Sequence, residues 1–419
     1  MSTIRAAAVL GPLSSIKPGR RRPHRDPLMY KIKTFNTIAV KGLERFPRQA
    51  FEVSAASLDP HAILLRSHKL AEADLTPGLR AVARAGAGVN NVPVDVCTRA
   101  GIVVFNTPGA NANSVKELVL TALLLASRDV VGGIEYVRSL AGVSDEMELN
   151  RRVEAEKKRF KGRELRGRAL GVVGLGAIGS LVARAALDLG MEVLGYDPAI
   201  SVDAAWRLPA EVRRMENLPS LFARADYVTL HVPLLRETEG MINEATLRAF
   251  RPGSVLLNFA RQPIVDAAAL RTALDDGHVA RYIADFPVPE LTAHPRVLLT
   301  PHLGASTDEA EENCAVMAAD QLIEFLTTGN IRNSVNFPGV NLEPTGGYRI
   351  AVTNRNVPGI LNKVTSVLAE RQINVIDMIN KSRDDVAYNL IDVAHEVDAA
   401  TLDAIRATDS VMNVREFRI

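Results

Sequence analysis

Leu170-Gly171-Val172-Val173-Gly174-Leu175-Gly176-Ala177-Ile178-Gly179-Ser180 is an apolar run that ends in the spacing Gly-x-Gly-x-x-Gly. Glycines recur in turns for purely structural reasons, so the spacing alone decides little. Its neighbours decide more. The apolar run before Gly174 reads as a strand, and the alanine- and leucine-rich stretch 181–189 predicts a helix after it. A second strand-like run, Glu192-Val193-Leu194-Gly195-Tyr196, ends at Asp197, eighteen residues past Gly179. In a strand–turn–helix unit that binds a dinucleotide, Gly174 permits the tight turn. Gly176 lets backbone approach a pyrophosphate, and Gly179 allows close helix–strand packing. The helix opened by Ala177 and Ile178 presents free N–H groups to the phosphates. Asp197 accepts hydrogen bonds from ribose hydroxyls and repels a 2′-phosphate. Pro198 follows it with no nearby Arg, which favours NAD over NADP.

Around this unit the chain has 419 residues, enough for two to four domains at roughly 100–200 residues each. Hydrophobic residues make up 47% and charged residues 23%, the balance of an ordinary globular protein. The net charge of +2 draws the chain to neither nucleic acid nor a membrane surface. No apolar run reaches the roughly 18 residues of a membrane span. Two cysteines, Cys97 and Cys314, make no disulfide framework and read as a reducing, cytoplasmic setting. No metal site is expected.

Residues 1–28 hold six Lys/Arg against Asp26 alone, with four prolines. They read as a disordered extension or an early start, with a transit peptide as the alternative. From Met29, strand-like runs alternate with helical ones: 30–35, 62–65, 80–85 and 102–106. That alternation predicts parallel sheets covered by helices. Val115 to Leu125 predicts a buried helix, and 145–168 a charged, solvated connector. Asn333 to Gly347, rich in Pro and Gly, reads as a linker. After it, 348–419 gives a βαββαβ order, large enough for a small domain of its own.

Hydride transfer between a nicotinamide and a 2-hydroxy acid needs a base for the hydroxyl proton, a cation for the carboxylate and a group that tunes the base. Three segments downstream of the glycine turn offer them. Asn258-Phe259-Ala260-Arg261 closes one strand. Ala284-Asp285-Phe286-Pro287-Val288-Pro289-Glu290 follows another. Leu299-Thr300-Pro301-His302-Leu303-Gly304-Ala305 follows a third. Strand C-termini of open parallel sheets are where ligands bind.

On these segments the chain, from Met29 to Ile419, resembles the NAD-dependent D-2-hydroxyacid dehydrogenase family, in its branch with a C-terminal ACT domain. The resemblance implies that Arg261 binds the substrate carboxylate and polarises its 2-oxygen. It implies that His302 takes the hydroxyl proton, and that Glu290 pairs with His302 and favours the imidazolium. Asp285 falls where the family contacts the nicotinamide end. Phe259, Ala260, Leu303, Gly304 and Ala305 complete the cofactor side. Gln262 stands where the family usually has Gly, which bears on the turn after Arg261.

In the N-terminal half, Arg66-Ser67 and Arg84-Ala85-Gly86-Ala87-Gly88 match the family's substrate loops. The turn Gly86-Ala87-Gly88 brings backbone N–H groups to the carboxylate, leaving Arg66 and Arg84 for a second anion. Guanidinium forks suit phosphate, so a phosphorylated acid is favoured, although each Arg taken singly is also a common surface residue. Lys116, where the family has Ala, is expected to be exposed, with a second phosphate contact left open. In the ACT-like segment, Asn354, Asn356 and Asn374 are the effector candidates. L-serine is the implied effector, held across a dimer interface, although Asn354 stands where a His is common. The alternative is a dimerising module with no ligand.

The expected architecture is two Rossmann-like α/β domains with parallel sheets plus a C-terminal α+β ferredoxin-like domain. The substrate domain covers 29–126 and 308–338, the NAD-binding domain 127–307 and the regulatory domain 347–419. The implied reaction is NAD-dependent oxidation of 3-phosphoglycerate to 3-phosphohydroxypyruvate, the entry to serine synthesis, in a homodimer or homotetramer. Two alternatives are a dehydrogenase of another D-2-hydroxy acid and an NAD-sensing interaction protein without turnover.

Overall fold

The computed structural model describes residues 29–419, so the expected extension at 1–28 lies outside the described residues. The first sheet holds β1 (Tyr30–Thr34), β2 (Phe51–Ser54), β3 (Ala62–Leu65), β4 (Ala81–Arg84) and β5 (Val103–Phe105). All pairings are parallel, in the order β2-β1-β3-β4-β5. The central strand β3, Ala-Ile-Leu-Leu, is buried at every position. A parallel strand covered on both faces reads as a continuous apolar run, which is why it was legible.

The second sheet is larger. It comprises β6 (Ala169–Val173), β7 (Glu192–Tyr196), β8 (Arg213–Arg214), β9 (Tyr227–Leu230), β10 (Ser254–Asn258), β11 (Val279–Ala284) and β12 (Val297–Leu299). Its order is β12-β11-β10-β9-β6-β7-β8, again all parallel. β9 and β10 are wholly buried, whereas the edge strand β8 is two exposed arginines. Charge at an edge discourages pairing with another chain. The helix Ala177–Asp188 buries Gly179, Val182, Ala183 and Ala186, one stripe at helical spacing, against this sheet.

The helix Ala112–Ser127 corrects one domain boundary. Residues up to 126 were expected in the substrate domain, yet Val115, Val119, Ala122, Leu123 and Ala126 pack with Val172, Val182 and Ala186 in the core of the second sheet. The helix is also covered on one side only, since Leu124 is half exposed. The connector expected at 145–168 is a helix over Glu146–Glu156 with one 3₁₀ turn, and it is preceded by an unforeseen helix, Val130–Ser139. Neither helix buries a residue.

The third sheet holds β13 (Tyr348–Arg355), β14 (Val375–Arg383), β15 (Val386–Val393) and β16 (Val411–Arg418), antiparallel in the order β14-β15-β13-β16. Alternation along the strands serves two cores. Ile350, Val352, Ile391 and Val393 face the helices Ile360–Glu370 and Ala399–Arg406 with Val364, Leu368 and Ile405. Ala351, Tyr388, Leu390 and Phe417 turn the other way and join Phe325, Leu326, Ile331, Phe337 and Val340 in the core of the first sheet. The third domain is therefore not an independent appendage. The expected linker is likewise partly built in. Asn336 donates to Ile102 O (2.9 Å) and Thr98 Oγ1 (3.0 Å) and accepts from Val104 N (2.8 Å). Phe337 and Val340 are buried.

The junction carries a fully buried ion pair. Arg349 Nε donates to Asp392 Oδ1 at 2.6 Å and Nη2 to Asp392 Oδ2 at 2.9 Å. The guanidinium also donates to Thr328 O (3.0 Å) and Glu343 O (3.2 Å), which ties β13 to the end of the helix Asp308–Thr328. Removing one partner strands a buried charge. Arg349→Met should cost about 3–5 kcal/mol, whereas Arg349→Met with Asp392→Leu should recover most of it. Chemical denaturation of the three chains checks this, and a single variant as stable as the parent contradicts it.

Candidate active site

The β6 strand delivers its glycine turn as the spacing requires. Gly174 has φ +91°, and a side chain there would meet His231 O at 2.6 Å. A Cβ on Gly179 would stand 1.9 Å from Gly174 O, so only glycine lets the helix sit this close to the turn. At Gly176, the residue that caps the helix, a Cβ would meet no protein atom within 4 Å. That face is open to a ligand, and the N–H groups of the Ala177–Asp188 helix, Ala177, Ile178 and Gly179 first, point at it. Asp197, at the end of β7, accepts Leu175 N on Oδ2 (2.8 Å) and Ala199 N on Oδ1 (2.9 Å). A carboxylate has about four lone-pair sites, so two remain for ribose hydroxyls. These residues fit a dinucleotide.

Across the crevice two guanidinium groups meet. A Cβ built on Gly88 would lie 3.3 Å from Arg261 Nη2 and 3.8 Å from Arg84 Nη1, so both flank one backbone position. Burial, and then the Arg261 and Arg66 cations, pull Arg84 below the usual guanidinium range, with Cys314 opposing. Arginine remains charged under such shifts, so the loops concentrate positive charge. Arg261 is held locally. Asn258 Nδ2 donates to Arg261 O (2.9 Å), and Arg261 Nη1 donates to Ala260 O (2.6 Å). Gln262 opens a 3₁₀ turn and is not among the residues with left-handed backbone, so the turn here has no need of glycine. Phe259 and Ala260, between β10 and Arg261, are buried.

The loop 66–70 is clamped by two asparagines that sequence reasoning had not singled out. Asn36, in left-handed conformation, accepts Ser67 N (3.1 Å) and His68 N (2.7 Å) on Oδ1. Asn91 Nδ2 donates to Arg66 O (3.1 Å) and His68 O (2.7 Å). Arg84 Nε donates to Arg66 O at 3.1 Å. Gly86 and Ala87 are fixed from the next loop, through Thr107 N donating to Gly86 O (3.1 Å) and Asn106 Nδ2 donating to Ala87 O (2.6 Å).

His302 stands at φ +59°, exposed, with its ring 4.9 Å from that of Phe286. A non-glycine residue there needs surrounding structure to hold it. Asp285 supplies that hold. Only 3% exposed, it accepts Thr300 Oγ1 (2.7 Å) and Leu303 N (2.7 Å) on Oδ1 and Gly304 N (2.6 Å) on Oδ2. Gly304 has no room for a side chain, since a Cβ would sit 2.9 Å from Asp285 Oδ2, and Gly304 O accepts Ser114 Oγ at 2.8 Å. Ala305 follows, partly buried. Asp285 had been expected at the nicotinamide; what the structure adds is that it pins the turn carrying His302.

The expectations for Lys116 and Asn354 need correction, and the expected Glu290–His302 contact is open in this structure. Glu290 is exposed, and no hydrogen bond or ion pair among the described residues joins its carboxylate to His302. Its carbonyl accepts Arg271 Nη1 at 3.4 Å. The expected pair is therefore not formed in this structure. Lys116 is not exposed: its side chain keeps 19% of its accessible surface, with Nζ 3.7 Å from Glu117. Asn354 is wholly buried within the sheet, donating to Arg355 O (2.7 Å) and accepting Asn389 Nδ2 (2.7 Å), so it offers no amide to an effector. Asn356 and Asn374 are exposed. They lie at opposite ends of the sheet, because Arg355 and Arg383 share one end while Tyr348 and Val375 share the other.

With this geometry in hand, comparison with known proteins places the fold. The profile of the D-isomer specific 2-hydroxyacid dehydrogenase NAD-binding domain matches residues 133–304, and that of the ACT domain matches 348–409. The D-3-phosphoglycerate dehydrogenase of Haemophilus influenzae is 33% identical over 380 residues, covering 87% of this chain and 88% of the relative. That of Escherichia coli is 32% identical over 374 residues, covering 85% and 87%. The chain belongs to the D-2-hydroxyacid dehydrogenase family. Among solved structures, NAD+-bound 3-phosphoglycerate dehydrogenase of Entamoeba histolytica superposes with TM-score 0.58 at 26% identity, covering 74% of this chain and 99% of that one. Rhodotorula graminis D-mandelate dehydrogenase gives 0.61 at 26%, covering 76% and 100%. As a member of this family the chain is an NAD-dependent oxidoreductase.

The Asp285 clamp is testable. Asp285→Asn turns an amide NH₂ toward backbone N–H groups that need acceptors. The rate should fall by roughly a hundredfold or more, with about 1–3 kcal/mol lost from stability. Steady-state kinetics beside urea unfolding measures both, and an Asn variant with parental kcat contradicts the assignment.

Proposed function

We propose that this chain oxidises 3-phospho-D-glycerate to 3-phosphohydroxypyruvate with NAD, the first step of L-serine synthesis. The observation that carries the reading is the meeting of Arg84 and Arg261 at the Gly86–Gly88 turn, with Arg66 on the adjoining loop, where its carbonyl accepts Arg84 Nε at 3.1 Å. A substrate with one carboxylate needs one such cation, and two more suit a second, phosphate-sized anion. The similarity to relatives named D-3-phosphoglycerate dehydrogenase over most of the chain supports the same choice.

When bound, NAD supplies a hydride acceptor for the substrate C2. Gly174, Gly176, Ala177, Ile178, Gly179 and Asp197 would hold its pyrophosphate and ribose. Phe259, Ala260, Asp285, Leu303, Gly304 and Ala305 would border its nicotinamide end. The chain's own residues do the rest. Arg261 binds the carboxylate and draws charge onto the 2-oxygen as the C2–H bond breaks. His302 takes the hydroxyl proton, so the alcohol becomes a carbonyl with one proton on imidazole. Glu290 is the acid helper in this reading, and it must swing inward to reach His302. Gly86, Ala87 and Gly88 direct backbone N–H groups at the carboxylate, and Arg66, Ser67 and Arg84 receive the phosphate.

The reading includes a homodimer or homotetramer in the cytoplasm. The half-exposed Val130, Ile134 and Val137 with exposed Met147 on two helices without buried residues support self-association. Cys97 and Cys314, both free and buried, support a reducing compartment. Among the described residues no helix is long and apolar enough to cross a membrane. L-serine is the proposed effector. Asn356 and Asn374 stand about eight strand positions apart, roughly 26 Å at strand rise, so a second protomer must bring one to the other. Serine inhibition that is lost in Asn356→Ala checks this, and a rate indifferent to serine contradicts it.

A substrate panel tests the reaction. His302→Ala should lower kcat by roughly 10²–10⁴ with NAD affinity retained, and Arg66→Ala should raise KM for 3-phosphoglycerate by roughly ten- to a hundredfold while sparing unphosphorylated acids. Preference of the parent for an unphosphorylated acid rejects the substrate, and undiminished turnover in His302→Ala rejects the mechanism.

A further inference from the structure

One anion that neither the fold nor the chemistry above accounts for meets the loop 66–70 from outside it. Glu311, in the first turn of the helix Asp308–Thr328, reaches Arg66, with Oε1 2.6 Å from Arg66 Nη1. Helix dipoles favour acids in a first turn, and Asp308, Glu309 and Glu311 all stand there. The dipole does not explain the partner. The next carboxylate, Glu312, pairs with Lys41 at the surface, whereas Glu311 alone turns to a loop that faces the crevice. Both members of the Arg66–Glu311 pair keep about a third of their side-chain surface exposed, 34% and 39%. The pair is thus accessible to an incoming ligand.

We propose that Glu311 is a specificity-determining residue, the built-in counter-ion that an incoming phosphate must share Arg66 with or displace. This rests on the reading that the second anion of the substrate is a phosphate. Beside burial, the like charges of Arg261 and Arg66 bear on Arg84 and hold it below the usual guanidinium range. Glu311 offsets that repulsion while the site is empty. It orients one Nη of Arg66 and leaves the other guanidinium donors for ligand, since the fork carries five. A phosphate near neutral pH carries about −1.5 to −2 charges, so it outcompetes a single carboxylate, while a ligand without that charge does not. The same carboxylate repels the bound product and speeds its departure. Glu311 therefore trades affinity for release, and does so for phosphorylated ligands alone.

Glu311→Gln separates charge from orientation, because its amide oxygen still accepts from Arg66. In the full-length enzyme, inorganic phosphate as competitive inhibitor should bind roughly three- to tenfold more tightly. KM for 3-phosphoglycerate should fall with it, without a rise in kcat, while D-glycerate as substrate or competitor shifts by less than about twofold. Glu311→Asp retains the charge and should keep the parental inhibition constant within about twofold. An inhibition constant for phosphate that is unchanged or weaker in Glu311→Gln overturns the proposal, as does a fall equally large in Glu311→Asp. Arg66→Ala keeps the two readings apart. If phosphate inhibition survives that change, the phosphate site itself is misassigned. If it is lost while Glu311→Gln stays neutral, only the role of Glu311 fails.

Discussion

One buried carboxylate organises the site. Asp285 accepts three hydrogen bonds from a single turn, and that turn holds His302 in a backbone conformation that histidine seldom adopts. Charge-assisted bonds of this kind are stronger than neutral ones, and they are spent on the position of an imidazole. Ser114 anchors the same turn from the helix Ala112–Ser127, and that helix is embedded in the core beneath the glycine turn. The glycine turn and His302 thus rest on one body. The Arg84 and Arg66 cations come from the other, across the crevice.

The glycine turn with its strand, helix and Asp197 was legible because each part is local: spacing, periodicity and a chain-adjacent acid. The β3 and β10 strands were legible because parallel strands buried on both faces leave unbroken apolar runs. Long-range contacts were not legible. Asn36 and Asn91 clamp residues 23 to 32 positions away, and Glu311 meets Arg66 from much further along the chain. No periodicity announces such pairs. Asn354 misled for a related reason. In sequence it is a polar residue beside a turn, but β13 lies between two partners, and its amide is spent on Asn389 and Arg355. Glu290 was chosen by its offset from Asp285, and an offset along the chain does not say which way a loop side chain faces; here it is exposed.

The helix Asp308–Thr328 gives the third domain a direct bearing on the site. It begins at Thr307, five residues after His302, and carries Glu311 to Arg66. It ends at Gly329, whose carbonyl accepts the Tyr388 hydroxyl at 2.8 Å. Arg349 seals that end through Thr328 O. Packed helices transmit displacement because interiors are close-packed. The C-terminal sheet is thus packed against the same helix that borders both His302 and Arg66.

In the proposed reaction His302 and the three arginines enclose one phosphorylated 2-hydroxy acid. A crystal structure with NAD and 3-phosphoglycerate bound tests it most directly. The substrate 2-oxygen is expected within roughly 2.6–3.2 Å of His302, the carboxylate on Arg261, and the phosphate on Arg66 and Arg84. A phosphate seated away from both arginines, or a 2-oxygen out of reach of His302, contradicts it.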